Sequence, residues 1–209
     1  MGQGSTNGVN GVAVHEGLDE RVRQREDWAL RRRRGIPNNR KLFVLTCMDE
    51  RIPIEDVLGL EPGDAHIFRN AGGVVTDDVI RSAGLTTNLF QTVEIVVVQH
   101  TDCGMLLLSG DELAAAFDEK LGERGTSLAE IDLDPSLPGL RIGDGEHGDW
   151  IKAFDDVDAC VERQVELLRN HPLIPEHVKV HGYVYEVESD SLRRPHVNPA
   201  LEVSTSPAR

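Results

Sequence analysis

Short apolar runs, separated by polar segments, dominate the hydrophobic pattern of this chain. The runs are rich in branched side chains and are bounded by residues that favour turns. This length and composition are typical of buried β-strands rather than of helices. The pattern predicts strands at 41–47, at 65–73 where the strand runs into a glycine loop, at 93–100 and at 178–187.

The segments between these runs have the end signals and the apolar spacing of helices. Thr76 is a good N-cap and precedes two acidic residues, which favours a helix that starts there. Apolar residues at 157, 161, 165 and 168 recur at helical spacing. Helices are predicted at 54–60, 76–90, 111–124 and 155–169. Strands that alternate with helices predict an α/β fold with a central, mostly parallel β-sheet flanked by helices.

The remaining segments lack such patterns. We expect residues 1–16, rich in Gly, Asn and Ser, to form a disordered tail without the features of a secretory signal. The loosely periodic segment 17–34 predicts a helical arm that packs on another surface, such as a partner subunit. A connection as long as 125–149 is more often functional or interfacial than idle. We therefore expect a single domain at 17–192, followed by a polar tail at 193–209.

Composition narrows the class of protein. The chain has 209 residues and a formal net charge of −14, which disfavours binding to nucleic acids or anionic membranes. The run Arg31–Arg34 is most simply a solvated helix end. The three cysteines have no short repeating spacing, which argues against a disulfide framework and for the reducing cytoplasm. No window is apolar enough to predict a membrane span.

Three metal-binding side chains follow two of the predicted strands. Cys47 ends the first strand, and His100 ends the third and is followed three residues later by Cys103. Because the carboxyl ends of parallel strands meet at one edge of a sheet, these residues can lie together. Two thiolates and an imidazole favour zinc, and three protein ligands leave one position open, as in catalytic sites. We predict one zinc ion per chain. Cys160 falls inside the helix at 155–169 without an evident partner, and we expect it to be a core residue.

Asp49 and Arg51 alternate with Cys47 along the same strand end. A free carboxylate beside zinc would tend to become its fourth ligand and close the site. An arginine two residues away can hold that carboxylate in a bidentate pair, so that water occupies the open position. We therefore predict that Asp49 and Arg51 are catalytic residues, with Asp49 orienting the attacking water.

These motifs resemble those of the β-class carbonic anhydrases. The matching segments are "CMDER" at 47–51, "RNAGG" at 69–73 and "HTDCG" at 100–104, and the resemblance covers about 17–190. It implies a zinc enzyme with an α/β fold that forms at least a homodimer. It also implies that Arg69 and Asn70 brace the site, and the backbone N–H of Gly104 could face a bound substrate. Flanking segments such as "AGGVVTDDVIRSAGLTTN" resemble the branch that hydrolyses carbon disulfide and carbonyl sulfide.

Three functions are consistent with these observations. The first is a zinc hydrolase that attacks carbonyl sulfide or carbon disulfide and releases hydrogen sulfide and carbon dioxide. The second is a carbonic anhydrase that hydrates carbon dioxide to bicarbonate. The third is a zinc or redox-sensing domain without catalytic activity, against which the Asp49–Arg51 pair argues because a binding module needs no open metal position.

Overall fold

The computed structural model describes residues 18–24, 37–131 and 147–196. The first of these ranges belongs to a separate unit and holds one short helix, α1 (Leu18–Arg23), on which Leu18 and Val22 are exposed. The rest of the predicted arm at 17–34, the Arg31–Arg34 run and the tail at 1–16 lie outside the described residues. Among the helices described, none is long and apolar enough to cross a membrane.

A five-stranded sheet forms the centre of the second unit. Its strands are β1 (Leu42–Cys47), β2 (Ala65–Asn70), β3 (Glu94–His100), β4 (Lys179–Glu186) and β5 (Ser191–Arg193), in the spatial order β2-β1-β3-β4-β5. The first four strands are parallel and β5 pairs antiparallel with β4. The predicted, mostly parallel sheet is thus confirmed. The sequence missed β5 because it is three residues long and polar at its ends.

Within the described residues of this unit, five helices accompany the sheet. They are α2 (Ile54–Val57), α3 (Asp77–Leu89), α4 (Gly110–Gly122), α5 (His147–Ile151) and α6 (Val157–Asn170). Side chains cap three of them, with Thr76 accepting from Val79 N–H, Asp156 accepting from Ala159 N–H, and Ser109 forming a capping box with Glu112. The helix predicted at 54–60 is only one turn long. The connection predicted at 125–149 contains a 3₁₀ turn and ends in α5, and its residues 132–146 lie outside the described ranges.

The central strands β1 and β3 are buried on both faces. Alternate residues of each strand point to opposite sides, so each strand contributes to two apolar clusters. One cluster packs the sheet against α3 and α6 and includes Phe43, Leu45, Ile95, Val97, Val79, Val161 and Leu168. The other lies on the opposite face and includes Val44, Val98, Ile52, Val74 and Phe154, together with Cys47 and Cys103. Burial on both sides holds the carboxyl ends of β1 and β3 in a fixed position.

Packing continues past residue 192, where a polar tail is predicted. Arg193 in β5 pairs with Asp158 at the start of α6 and with Glu186, the latter at 2.8 Å. The guanidinium of Arg194 lies 4.2 Å from the centre of the Tyr183 ring. Because Asp158 is 35 residues away from Arg193, the polar composition of the segment hides this contact with the domain. Residues 197–209 lie outside the described ranges.

Candidate metal centre and active site

The sheet places the predicted metal ligands at one edge. Cys47 is the last residue of β1 and His100 is the last residue of the neighbouring parallel strand β3. Cys103 follows His100 after a tight turn in which Asp102 has a φ of 54°. Two adjacent strand ends and one turn therefore bring together three side chains that span 56 residues of sequence.

The three side chains form a compact and buried group. The sulfur atoms of Cys47 and Cys103 are 3.9 Å apart, and the ligand atoms of all three residues lie within 4.8 Å of one another. Two sulfur ligands of a tetrahedral zinc ion, each about 2.3 Å from the metal, would be about 3.8 Å apart. The observed sulfur separation therefore suits zinc.

The histidine of this group gives a second, independent sign of a missing ligand. His100 is fully buried, and neither of its ring nitrogens has a hydrogen-bond partner in the described part of the chain. Burying an unpartnered polar group is costly, whereas a metal ion would satisfy one of these nitrogens. The donor atoms, their spacing and this orphaned imidazole all fit a bound zinc ion.

The surroundings of the two cysteines shift the pKa values of their thiols. Hydrogen bonding from the Cys103 thiol lowers the pKa of Cys47 to about 4, although burial acts in the opposite direction. His100 and the backbone N–H groups of Asp49 and Gly72 lower the Cys47 pKa further. The Cys103 pKa is raised, because its proton is shared with Cys47 and because the thiol is buried. The lowered pKa of Cys47 favours its thiolate form, which is the form that binds metals, and metal binding would release the thiol protons that remain.

Arg51 occupies both carboxylate oxygens of Asp49. Its Nε donates to Oδ1 at 3.0 Å and its Nη2 donates to Oδ2 at 2.8 Å, while the backbone N–H of Arg51 also donates to Oδ1 at 2.9 Å. Because the guanidinium donates to the carboxylate, the pKa of Asp49 lies well below its usual range and that of Arg51 above it. Asp49 Oδ2 is 3.8 Å from His100 Nε2, so the carboxylate borders the ligand group.

Asp102 is a partner of Arg51 that sequence analysis missed. Its carboxylate accepts from Arg51 Nη1 at 2.7 Å, and its backbone carbonyl accepts from Nη2 at 2.9 Å. Arg51 therefore links the loop between His100 and Cys103 to Asp49. Its position between the predicted ligands His100 and Cys103 was a possible sign of this role. However, an acidic residue in a turn usually only faces solvent, so its type alone did not indicate a contact with Arg51.

Arg69 and Asn70 contact the backbone around the site. Arg69 donates to the carbonyls of Cys47 at 3.0 Å, Asp49 at 2.8 Å and Ile52 at 2.9 Å. The Asn70 side chain closes the glycine turn by exchanging hydrogen bonds with the backbone of Val74, at 2.8 and 3.0 Å. This arrangement is what a bracing role requires.

Gly104 starts the 3₁₀ turn Gly104–Leu106 directly after Cys103. A side chain added there would meet no other atom within 4 Å, so the space beside this residue is open. The predicted contact between its backbone N–H and a substrate remains a prediction.

Cys160 is a buried core residue, as expected, and its sulfur also accepts hydrogen bonds that the sequence did not predict. The amide nitrogens of Gln99 and Gln164 lie 3.3 and 3.4 Å from its sulfur, and Arg163 Nη2 lies at 3.6 Å. Gln99 belongs to β3, 61 residues away along the chain, so the sequence offered no sign of this contact.

Comparison with known proteins places this site in a family. A family model described as carbonic anhydrase matches residues 42–192. Carbon disulfide hydrolase from Saccharolobus solfataricus is 51% identical over 189 residues, which cover 88% of this chain and 91% of that protein. Beta-carbonic anhydrase 1 from Mycobacterium tuberculosis is 31% identical over 157 residues, which cover 75% of this chain and 83% of that protein.

The solved structures agree with this comparison. The apo form of a carbon disulfide hydrolase superposes with a TM-score of 0.71 at 51% identity, and the match covers 94% of this chain and 98% of that one. The matched region of the family model contains both ligand strands, the Asp49–Arg51 pair and the glycine turn. The chain therefore belongs to the carbonic anhydrase family, in its β class.

Proposed function

We propose that this protein is a zinc-dependent hydrolase that converts carbon disulfide or carbonyl sulfide into hydrogen sulfide and carbon dioxide. The observation that carries the proposal is the similarity to carbon disulfide hydrolase, at 51% identity over most of both chains. The similarity to a β-carbonic anhydrase is lower, at 31%. Because both kinds of protein share the family fold, the difference favours the sulfur compounds as substrates.

Cys47, His100 and Cys103 would hold the zinc ion. When bound, zinc supplies a Lewis acid that brings the pKa of water at the open position toward about 7. Asp49 Oδ2, which lies 3.8 Å from His100 Nε2, would accept a hydrogen bond from the attacking water and orient it. Arg51 keeps both oxygens of Asp49 engaged, so that the carboxylate does not become a ligand.

The reaction needs water and no redox partner. The oxygen of water bonds to the electrophilic central carbon of carbon disulfide, one carbon–sulfur bond breaks, and the sulfur leaves as hydrogen sulfide with both protons of that water. This first step yields carbonyl sulfide. A second water attacks carbonyl sulfide in the same way and yields carbon dioxide and a second hydrogen sulfide. One site can therefore carry out both steps.

A largely apolar cavity, lined in part by the residues that follow Cys103 in the chain, suits weakly solvated substrates. It has a volume of about 360 Å³ and is lined mainly by Leu106, Leu107, Leu108, Ala153 and Phe154, with Ser109, Glu112 and Asp155 as its polar side chains. The Gly104–Leu106 turn connects the cavity wall to Cys103. Carbon disulfide and carbonyl sulfide lose little hydration on entering an apolar space, whereas bicarbonate loses much more.

Carbonic anhydrase activity is the alternative, and family membership favours it. Both reactions attack the central carbon of a linear molecule, so the same ligands and the same Asp49–Arg51 pair serve either one. The purified zinc protein should be given carbon disulfide, carbonyl sulfide and carbon dioxide in turn, with sulfide and bicarbonate measured. We expect sulfide from at least one sulfur compound. Fast bicarbonate formation without detectable sulfide would leave carbonic anhydrase as the function.

We also propose that the protein forms at least a homodimer and acts in the cytoplasm. Strand β2 lies at the edge of the sheet, with β1 on one side and no described strand on the other. Ile67 and Phe68 in this strand are only half-buried. An apolar edge strand is prone to pair with another chain. Sedimentation that showed an active monomer at micromolar concentration would contradict the dimer.

A further inference from the structure

Gln99 is a fully buried polar residue that the proposed chemistry does not use. It precedes His100 in β3, so its side chain points to the other face of the sheet. Its Nε2 donates to the carbonyl of Gly72 at 2.7 Å. Its Oε1 has no hydrogen-bond partner among the residues described. Burying an amide costs free energy unless the amide is hydrogen-bonded. A buried Gln at this position therefore directs attention to the hydrogen bond that it donates to Gly72.

The residue that Gln99 holds lies in a turn pressed against Cys47. Gly72 and Gly73 have φ angles of 78° and 61°, which residues with a side chain rarely adopt. A β-carbon on Gly73 would lie 2.8 Å from the backbone nitrogen of Cys47 and 2.9 Å from the carbonyl carbon of Thr46. No atom fits between this turn and the metal ligand, so a displacement of the turn would displace Cys47 or open a gap beside it.

The same turn also touches the second ligand loop. A β-carbon on Gly72 would lie 3.1 Å from Met105, two residues after Cys103, and 3.1 Å from Phe154. The turn therefore packs against the backbone of Cys47 and against the side chain of Met105, which follows Cys103 in the chain. The hydrogen bond from Gln99 Nε2 to the Gly72 carbonyl also holds the turn in place.

Two residues of α6 hold the Gln99 amide in place. Cys160 Sγ is 3.3 Å from Gln99 Nε2. Gln164 Nε2 reaches the same sulfur at 3.4 Å, and its Oε1 accepts from the backbone N–H of Val75 at 2.8 Å. All three polar residues are buried. Helix α6 therefore supports Gln99 directly and also anchors the chain just beyond the glycine turn.

We propose that Gln99 is a positioning residue for the metal centre, because its amide holds the Gly72–Gly73 turn against Cys47. It contacts neither the metal position nor a substrate. Its effect passes through the turn to the Cys47 backbone, and Cys160 and Gln164 serve as its supports. The inference rests on the proposed role of Cys47 as a zinc ligand.

Outer groups that orient metal ligands have a known scale of effect. Their loss typically costs about 10- to 100-fold in metal affinity or activity. In Gln99→Met protein the side chain keeps a similar length, but the Gly72 carbonyl loses its donor. We expect the dissociation constant for zinc, measured by competition with a chromogenic chelator, to rise by about tenfold or more.

Thr92→Val is the matched control. Thr92 is also fully buried, its hydroxyl has no partner within the described ranges, and it lies near the opposite end of β3. This exchange also replaces a buried polar group with an apolar one, so it should leave zinc affinity unchanged. The visible spectrum of the cobalt-loaded proteins gives a second measure, because sulfur-to-cobalt bands report ligand geometry. A merely structural role for Gln99 would lower thermal stability of the metal-free protein without changing affinity or spectrum.

Each outcome decides between the two proposals. If wild-type protein fails to bind zinc, or Cys47→Ser binds it as tightly, the proposed site is wrong. If wild type binds zinc through Cys47 but the dissociation constant of Gln99→Met rises by less than about tenfold, only the role of Gln99 is wrong. Should Gln99→Met fail to fold, Cys160→Ala removes a support and leaves the contact with Gly72. A rise of about threefold or more would then support the proposal, and a smaller rise would overturn it.

Discussion

Removal of the Arg51 side chain tests how the site keeps a carboxylate away from its metal. In Arg51→Ala protein, Asp49 loses the donors at 3.0 and 2.8 Å and keeps the backbone N–H at 2.9 Å. Its Oδ2, already 3.8 Å from His100 Nε2, would then have no fixed donor. We expect this oxygen to turn toward zinc and take the open fourth position.

The contacts of Arg51 set the size of the effect. Two of the three hydrogen bonds to Asp49 are lost, and both are charge-assisted, which makes each about twice as strong as a neutral one. Loss of a group that orients a proton acceptor typically lowers turnover by about 10²- to 10⁴-fold. Because Asp49 itself remains, we expect a fall in turnover of at least about tenfold, a bound set below that range, while zinc stays bound.

Asp102→Asn is the matched comparison at the other end of the same guanidinium. Its carboxylate is 62% exposed, and exposed ion pairs contribute little. Its backbone carbonyl still accepts from Arg51 Nη2 after the substitution. We expect turnover to change by less than about twofold.

Sulfide release measured beside zinc content separates loss of catalysis from loss of metal. A crystal structure of zinc-loaded Arg51→Ala protein should show Asp49 Oδ2 bound to zinc in place of water. Full turnover in Arg51→Ala would refute the reasoning. A loss in Asp102→Asn as large as in Arg51→Ala would show that the loop, rather than the contact with Asp49, controls the site.

Three further variants test the metal centre, the packing and the acid stability. Cys47→Ser should lose tightly bound zinc, which metal analysis of dialysed protein would show. Gly182→Ala would place a methyl group 2.4 Å from Val161 Cγ1, so we expect about 1–3 kcal/mol lower stability in urea unfolding, with exposed Gly122→Ala as the control. Burial tends to raise the pKa of Asp158, but hydrogen bonds and charge from Arg193 outweigh it and leave that pKa lowered. Its stabilising effect is therefore present above about pH 4 and lost as the pH falls through the folded-state pKa, so Asp158→Asn should destabilise metal-free protein at pH 7 but progressively less at lower pH.

The sequence by itself determined the parts of this protein that depend on local spacing. Branched apolar runs marked the four parallel strands, and a polar N-cap marked the start of α3. The metal ligands could be recognised because Cys47 and His100 end two such runs. The rule that ligands bind at the carboxyl ends of parallel strands then predicted that these two residues lie at one edge of the sheet. The Asp49–Arg51 contact could be predicted for a similar reason, since the two residues are only two positions apart.

Tertiary structure decided the contacts that join distant segments. Asp102 meets Arg51 across 51 residues because the turn after His100 adopts a left-handed conformation and directs its carbonyl and carboxylate to one side. Gln99 meets Gly72 across 27 residues, and Arg193 meets Asp158 across 35. Such partners are polar residues whose types are common on surfaces, so nothing in their local pattern separates them from solvated side chains. Only the packing of α6 and the glycine turn against the sheet brings them within hydrogen-bonding distance.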